Sequence, residues 1–321
     1  MGEFDIISKY FHRAPKRALL GGGDDCALLQ PTLGMTQCIS SDMLVEGRHF
    51  LSTVDPYRLG KKALAVNLSD LAACGATPQA FTLALSLPGL DSNWLEFFSN
   101  GLWDMAHEHE IDLIGGDTTK GPLTICITVL GEVPKGLALL RSGAKAGDDI
   151  YVSGTVGDAV FALEVFRGYA GAGEKTFERI RARLEQPTPR IKLGLALRGT
   201  ASACIDLSDG LVGDLGHILK RSGVGATLNT DWVESSLALS EDLKALDFQT
   251  RLAYALSGGD DYELLFTANK NACMRIQEVS RELNLPITRI GEITENLGLR
   301  VMDLEGQKMS RAFSSFDHFG G

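Results

Sequence analysis

Aspartates recur where the chain changes direction. Asp24 and Asp25 follow Gly21-Gly22-Gly23, Asp42 follows a short apolar run, Asp117 follows Gly115-Gly116, and Asp206 and Asp209 flank Leu207-Ser208. Taken singly, each reads as a turn or helix-cap residue, because an Asp carboxylate accepts hydrogen bonds from nearby backbone N–H groups. Asp70 is different. It stands in Ala63-Leu64-Ala65-Val66-Asn67-Leu68-Ser69-Asp70-Leu71-Ala72-Ala73-Cys74, a helical stretch apolar on nearly every side, with no Arg or Lys within one turn. A carboxylate buried there needs a cation or a strong set of hydrogen bonds, since an unpaired buried charge is costly. Two readings stand: a metal ion, or a neighbouring loop whose backbone amides hold the carboxylate. Oxygen ligands without His or Cys clusters suit Mg²⁺ rather than zinc or copper.

The glycines beside these acids allow backbone N–H groups to approach a ligand closely, and Asp209-Gly210 opens a predicted helix whose N-terminus favours an anion. Acids next to an anion site imply a metal-phosphate ligand. The sequence contains no GxxxxGK[ST] loop, no His-Arg-Asp triplet and no GxGxxG after a strand. The common nucleotide-binding folds are therefore disfavoured, and a less common phosphate enzyme is expected.

The elements that must position these residues follow from periodicity and caps. A strand is predicted over 36–40, ending at Ser41-Asp42, with others over 81–87 and 123–133. Asp55-Pro56 supplies a helix start, and Gly75 with Pro78 a stop, for a helix over 56–74. A second helix starts at Asn93, with Glu96 completing a capping box, and runs to His109 along the stripe Trp94, Leu95, Phe98, Leu102 and Met105. The pattern restarts after Pro134, so a domain boundary is placed near 137, giving domains 1–137 and 138–321. In the second, helices are predicted over 158–167, 175–185, 190–198, 210–222 and 270–283, and strands over 150–152, 203–207, 225–229, 262–267, 287–292 and 298–303. The fold class is mixed α/β. Gly-Gly-Asp-Asp occurs at 22–25 and at 258–261, too short a repeat to establish duplication.

The 321 residues carry a formal charge of −10, with 44% hydrophobic and 22% charged residues, the balance of a folded protein of about two domains. Such a charge disfavours a nucleic-acid surface or an anionic membrane. No apolar run approaches the ~18 residues that would span a bilayer, and Met1-Gly2-Glu3-Phe4-Asp5 has no signal-peptide pattern. Cys26, Cys38, Cys74, Cys126, Cys204 and Cys273 are scattered without metal-ligand or CxxC spacing. Free thiols in a reducing cytoplasm are the expectation.

In order and spacing, Gly23-Asp24-Asp25-Cys26-Ala27, Ser41-Asp42-Met43-Leu44-Val45-Glu46-Gly47-Arg48-His49-Phe50, Lys62-Ala63-Leu64-Ala65-Val66-Asn67-Leu68-Ser69-Asp70-Leu71-Ala72-Ala73, Gly115-Gly116-Asp117-Thr118-Thr119, Asp206-Leu207-Ser208-Asp209-Gly210 and Ser257-Gly258-Gly259-Asp260-Asp261-Tyr262-Glu263-Leu264 closely resemble the thiamine-monophosphate kinase family. The match extends over nearly the whole chain. This family belongs to the superfamily of aminoimidazole ribonucleotide synthetase, selenophosphate synthetase and the hydrogenase-maturation dehydratase. The resemblance implies two aminoimidazole ribonucleotide synthetase-like domains, each a mixed sheet packed with helices. The first would bind metal and ATP and mediate dimerisation, and the second would complete the ATP and substrate site.

What the resemblance implies for chemistry is transfer of the γ-phosphoryl group of ATP to thiamine monophosphate, the last step of thiamine diphosphate synthesis, assisted by several Mg²⁺ ions. By motif match the metal ligands fall on Asp25, Ser40, Ser41, Asp42, Asp70, Asp117, Asp206 and Asp209, and the ATP contacts on Gly116, Asp117, Arg141 and Ser208. The thiamine-phosphate contacts map onto His49, Asp260 and Phe313. Members of the family often carry Glu where Asp260 stands and Trp where Phe313 stands, so one carboxylate is shorter and one stacking face smaller. No general base is assigned, because the attacking phosphate oxygen is largely deprotonated at neutral pH. A homodimer is implied by analogy. The alternatives are another ATP-using enzyme of the superfamily and a catalytically silent nucleotide-binding module. The dehydratase needs a C-terminal cysteine, and no cysteine follows Cys273.

Overall fold

The computed structural model describes residues 2–311 and 313–315. Its strands are β1 (Met35–Val45), β2 (Thr77–Leu87), β3 (Asp112–Lys120), β4 (Thr124–Pro134), β5 (Asp149–Ser153), β6 (Ala201–Asp206), β7 (Gly225–Asn229), β8 (Leu264–Ala268), β9 (Ile287–Thr294) and β10 (Gly298–Met302). The helices are α1 (Glu3–Ile6), α2 (Pro56–Ala73), α3 (Ser92–Glu108), α4 (Asp158–Phe166), α5 (Glu174–Glu185), α6 (Ile191–Leu197), α7 (Leu211–Ser222), α8 (Asp231–Glu234), α9 (Glu241–Lys244), α10 (Phe248–Ser257) and α11 (Cys273–Glu282). The chain forms two compact units, one of residues 1–71, 76–136 and 185–187, the other of 72–75, 137–184 and the chain from 188 onward. Each contains a mixed sheet packed with helices, the class expected.

The first sheet has the order β1-β4-β2-β3, with β2 and β3 parallel and the other pairs antiparallel. Alternation along β4 buries Ile125, Ile127, Val129 and Val133, and the register sets Ile125, Ile127 and Val129 opposite Leu85, Leu83 and Phe81 of β2. Buried side chains of α2 (Leu59, Leu64, Leu68 and Leu71) and of α3 (Leu95, Phe98 and Leu102) supply the rest of this core. The two helices meet backbone to backbone: a Cβ at Gly60 would strike the Phe98 carbonyl, and one at Gly101 the Tyr57 carbonyl. Pro56 opens α2 after Asp55, whose carboxylate accepts from Arg58 N at 3.1 Å. In α3 the cap is Asp91, two residues before Asn93, accepting from Asn93 N and Trp94 N at 2.9 and 3.1 Å.

β1 also extends past its predicted end. It pairs with β4 from Met35 opposite Pro134 to Val45 opposite Thr124, so Ser41 and Asp42 lie within the strand. Period-two alternation explains why their polarity does not end it: Ser40, Asp42 and Leu44 share one face, while Ile39, Ser41 and Met43 share the other. Asp117 likewise lies inside a strand, β3, that glycine content had concealed. A Cβ at Gly116 would collide with the Leu83 carbonyl of the adjacent strand, so glycine is what lets these strands approach.

The second sheet has the order β10-β7-β9-β5-β8-β6. Its core gathers Ile150 and Val152 of β5, Ile205 of β6, Leu265 of β8 and Leu215 and Ile218 of α7. The helices α8, α9 and α10 fill a stretch where the sequence predicts no element. Ser240 and Asp247 cap α9 and α10, accepting from Leu243 N and Thr250 N. All six cysteines are free; Cys204 is buried, Cys26 is exposed and the other four are half-buried. No helix among the described residues is long and apolar enough to cross a membrane.

Candidate active site

In the first unit, a cavity of about 500 Å³ is lined by Gly22, Gly23, Asp24 and Asp25 on one side and Gly115, Gly116 and Asp117 on the other, with His12 and Arg13 at its wall. Leu20 and Leu28 bridge the ends of the glycine loop, Leu28 N donating to Leu20 O at 2.9 Å. The carboxylates of Asp25 and Asp117 have no hydrogen-bond or ion-pair partner among the described residues. Arg13 stacks over Trp103 at 4.1 Å and lies 3.1 Å from His107 Nε2. Desolvation pulls the Arg13 pKa down, and nearby Asp104 opposes that shift.

A second group sits where β1 meets α2. Ser40 Oγ donates to Asp70 Oδ2 at 2.5 Å. One turn earlier on α2, Asn67 Oδ1 accepts from Asp42 N at 3.0 Å while its amide nitrogen donates to Ala63 O. Asn67 is 1% exposed, so this amide fastens strand to helix beneath the acids. Asp70 is half-buried, which corrects the expectation of a buried carboxylate, and one of its partners is the Ser40 hydroxyl rather than a backbone amide. The Ser41 side chain lies on the opposite face of the sheet, with Thr128 Oγ1 at 2.9 Å and Ile127 O at 3.2 Å. Ser41 therefore does not share the side-chain cluster of Ser40, Asp42 and Asp70. Past the strand end, Val45 N donates to His49 Nδ1 at 3.0 Å, which places the proton of the neutral ring on Nε2.

In the second unit, two loops are laced together. Asp260 N donates to Ser208 O at 2.9 Å, Tyr262 N to Leu207 O at 2.8 Å and Leu207 N to Glu263 O at 2.9 Å. This brings Ser208 and Asp209 beside Gly259 and Asp260, with Asp206 paired opposite Leu264. Asp260 and Tyr262 have φ of 64° and 50°, a left-handed conformation costing about 1–3 kcal/mol each when the residue is not glycine. The α7 N-terminus is not open to an anion. Asp214 Oδ2 accepts from the N–H groups of Ser208, Asp209 and Gly210 at 3.1, 3.2 and 3.2 Å, filling that cradle from within. Burial pushes the Asp214 carboxyl up to about 7, against the pull of those three N–H groups.

Arg141 is exposed, and its side chain makes no hydrogen bond or ion pair among the described residues. Its loop is pinned by Cys204 N to Leu140 O at 2.8 Å and by Gly143 N to Ser222 Oγ at 3.2 Å. Phe313 is half-buried against the second core, with the Arg311 guanidinium 5.5 Å from its ring centre. Reading the sequence alone missed Asn67, Asp214 and the arginines at Glu263. Asn67 announces itself as the polar residue in an apolar helix, whereas Arg183 and Arg190 carry no local signal.

Among the described residues, no three His, Cys, Asp or Glu side chains converge on one point. Mg²⁺ is commonly held by one or two carboxylates, with waters and substrate phosphate oxygens completing the shell. Two partnerless carboxylates facing one glycine-lined cavity fit that mode.

Residues 23–133 match the family described as AIR synthase related protein, N-terminal domain, and residues 145–303 match its C-terminal domain counterpart. Thiamine-monophosphate kinase of Salmonella typhimurium is 46% identical over 323 residues, covering 99% of this chain and 98% of the relative. The chain belongs to the thiamine-monophosphate kinase family. The crystal structure of thiamine-monophosphate kinase from Stenotrophomonas maltophilia superposes with a TM-score of 0.85 at 44% identity, covering 95% of this chain and 96% of that one. AaThiL complexed with AMPPCP and TMP superposes with a TM-score of 0.76 at 31% identity, covering 90% and 89%. Members of the family are therefore similar to this chain across both units, and the motif-matched site residues named above fall within residues 23–133 and 145–303, except Arg141 and Phe313.

Proposed function

We propose that this chain transfers the γ-phosphoryl group of ATP to thiamine monophosphate, giving thiamine diphosphate and ADP. The observation that carries this reading is the pair of carboxylates, Asp25 and Asp117, without partners among the described residues and at a glycine-lined cavity in a chain of this family. A phosphate oxygen of thiamine monophosphate attacks the γ-phosphorus, the bond to the β,γ-bridging oxygen breaks, and the electron pair leaves with ADP. With a second phosphate pKa of about 6, the acceptor needs no protein base near neutral pH.

Asp25, Ser40, Asp42, Asp70, Asp117, Asp206 and Asp209 are assigned to hold Mg²⁺. Ser41 is assigned with them by motif match, although its hydroxyl is engaged by Ile127 O and Thr128 Oγ1. When bound, the metal neutralises phosphate charge and aligns donor with acceptor. Gly116, Asp117 and Ser208 are assigned to the nucleotide, Gly116 by letting phosphate approach the backbone, and Arg141 supplies a counter-charge, no acid among the described residues pairing with it. His49 offers its Nε2–H to the thiamine phosphate. Asp260 places a carboxylate against the cationic thiamine, and Phe313 a ring face.

The same reading places the protein in the cytoplasm as a homodimer. Six free thiols support the compartment. The outer face of β1, an edge strand with Ile39 65% and Met43 54% exposed, supports pairing of first-unit sheets.

The test is incubation with ATP, Mg²⁺ and thiamine monophosphate, with free thiamine as a parallel acceptor, followed by chromatography. Equal amounts of thiamine diphosphate and ADP, and no phosphorylation of free thiamine, are expected. ATP binding with no ADP release would instead sustain the silent-module reading.

A further inference from the structure

The turn bearing Asp260 is held by a buried ion cluster that itself reaches no assigned ligand. Glu263, fully buried, accepts from Arg183 Nη2 at 2.8 Å, from Arg190 Nε at 2.6 Å and again from Arg190 Nη2, and from Ser153 Oγ at 2.6 Å. Ser153 Oγ in turn accepts from Leu264 N at 2.9 Å, so the cluster grips the chain where the turn runs into β8. On the other side, the buried Asp261 carboxylate accepts from Gly157 N at 3.0 Å through both oxygens. Between these anchors lie Asp260 and Tyr262, both in the left-handed region, with Tyr262 Oη donating to Asp260 Oδ1 at 3.3 Å. Glycine permits the close approach: a Cβ at Gly154 would strike the Glu263 carboxylate, and one at Gly259 would meet Ser208 O at 2.5 Å.

Replacing a buried ion pair by packed apolar groups is often neutral or favourable for stability. Such a cluster is better suited to fixing one geometry, and backbone in a sparsely populated region persists only where its surroundings over-determine it. We propose that Arg190, with Arg183, is a positioning residue for the acceptor substrate: through Glu263 the two guanidiniums clamp the 260–262 turn and set the direction of the Asp260 carboxylate. The inference rests on the reading of Asp260 as a thiamine-phosphate contact.

The test compares Arg190→Lys, Asp260→Asn and the double variant, measuring KM for each substrate, kcat and the thermal midpoint. Lys keeps the charge and loses the two-point grip on Glu263. Arg190→Lys is expected to raise KM for thiamine monophosphate roughly tenfold, and KM for ATP less than about twofold. In the Asp260→Asn background it should add nothing, because the group it positions is already impaired. Equal rises for both substrates, or a full further rise in the double variant, would overturn the inference and leave Arg190 a merely structural residue. If Asp260→Asn raises KM for thiamine monophosphate and Arg190→Lys does not, the positioning role fails while the contact stands. If Asp260→Asn itself changes nothing, the contact reading fails and takes the inference with it. Should Arg190→Lys not fold, Ser153→Ala removes one hydroxyl from Glu263, leaves both ion pairs, and must show the same split at smaller amplitude.

Discussion

Ser40 Oγ and Asp70 Oδ2 stand 2.5 Å apart and join the inner face of β1 to α2. The hydroxyl gives the Asp70 carboxylate one fixed orientation, while Asn67 fixes the strand one helical turn away. Removing a group that orients a metal-binding carboxylate typically weakens metal affinity by roughly 10–100-fold. Ser40→Ala is therefore expected to raise the Mg²⁺ concentration for half-maximal turnover by about tenfold with little change in thermal midpoint. A magnesium titration of the initial rate checks this, and an unaltered requirement would remove the pair from the metal site.

Phe313→Ala separates the two substrates. A ring–ring contact contributes about 0.5–1.5 kcal/mol beyond area burial, so KM for thiamine monophosphate should rise by roughly three- to tenfold, with KM for ATP little moved. Because Phe313 also packs on the second core, some loss of thermal stability is expected. Equal effects on both Michaelis constants would reject the stacking role.

Asp261 gives a pH signature. Burial pushes its carboxyl well above the ordinary range, with Arg183 and the Gly157 N–H offering only partial relief. Between the unfolded value near about 3.9 and the raised folded value, the native state binds more protons than the unfolded one, so this group lowers stability as pH rises. Asp261→Asn removes that slope. The thermal midpoint of the variant minus that of the natural chain should grow more positive from pH ~4 to ~8, measured by paired melts. A difference that stays flat across this window would contradict the assignment.

The exposed face of β1 tests assembly. Ile39 and Met43 are apolar and open on an edge strand, and a carboxylate placed in a packed sheet interface would be desolvated without a partner. Met43→Asp should convert a dimer into a monomer at micromolar concentration, read by light scattering coupled to size exclusion. A natural chain that is itself monomeric in that measurement would end the homodimer proposal.

Much of this was legible in the sequence where local chemistry marks an element. Asp55-Pro56 and Gly75 bracket α2 to within a residue, because the cap and the stop are both written in the chain. Polar residues inside a strand were not legible: Ser41 and Asp42 read as an ending, yet β1 continues because each faces a different side. The helices α8, α9 and α10 escaped despite the caps at Ser240 and Asp247, two of the three being only one turn long. The candidate ligands were named from motifs, but their grouping was not. That Ser40 meets Asp70 and that Ser41 turns to Thr128 depend on pairing and packing between distant segments, whereas Asp214 fills the cradle at α7 through residues four to six positions before it. The Glu263 cluster is the extreme case, its partners at Ser153, Arg183 and Arg190 being brought together only by the second sheet and its helices.

Direct transfer is tested most plainly by following phosphorus. ATP labelled at the γ-phosphate is supplied with Mg²⁺ and thiamine monophosphate to the natural chain and to Asp117→Asn, and the products are separated. The account predicts label in the terminal phosphate of thiamine diphosphate, in amounts equal to the ADP formed, with turnover in Asp117→Asn reduced by about 100-fold or more at an unchanged thermal midpoint. Release of AMP, label recovered only as inorganic phosphate, or near-normal turnover in Asp117→Asn would contradict it.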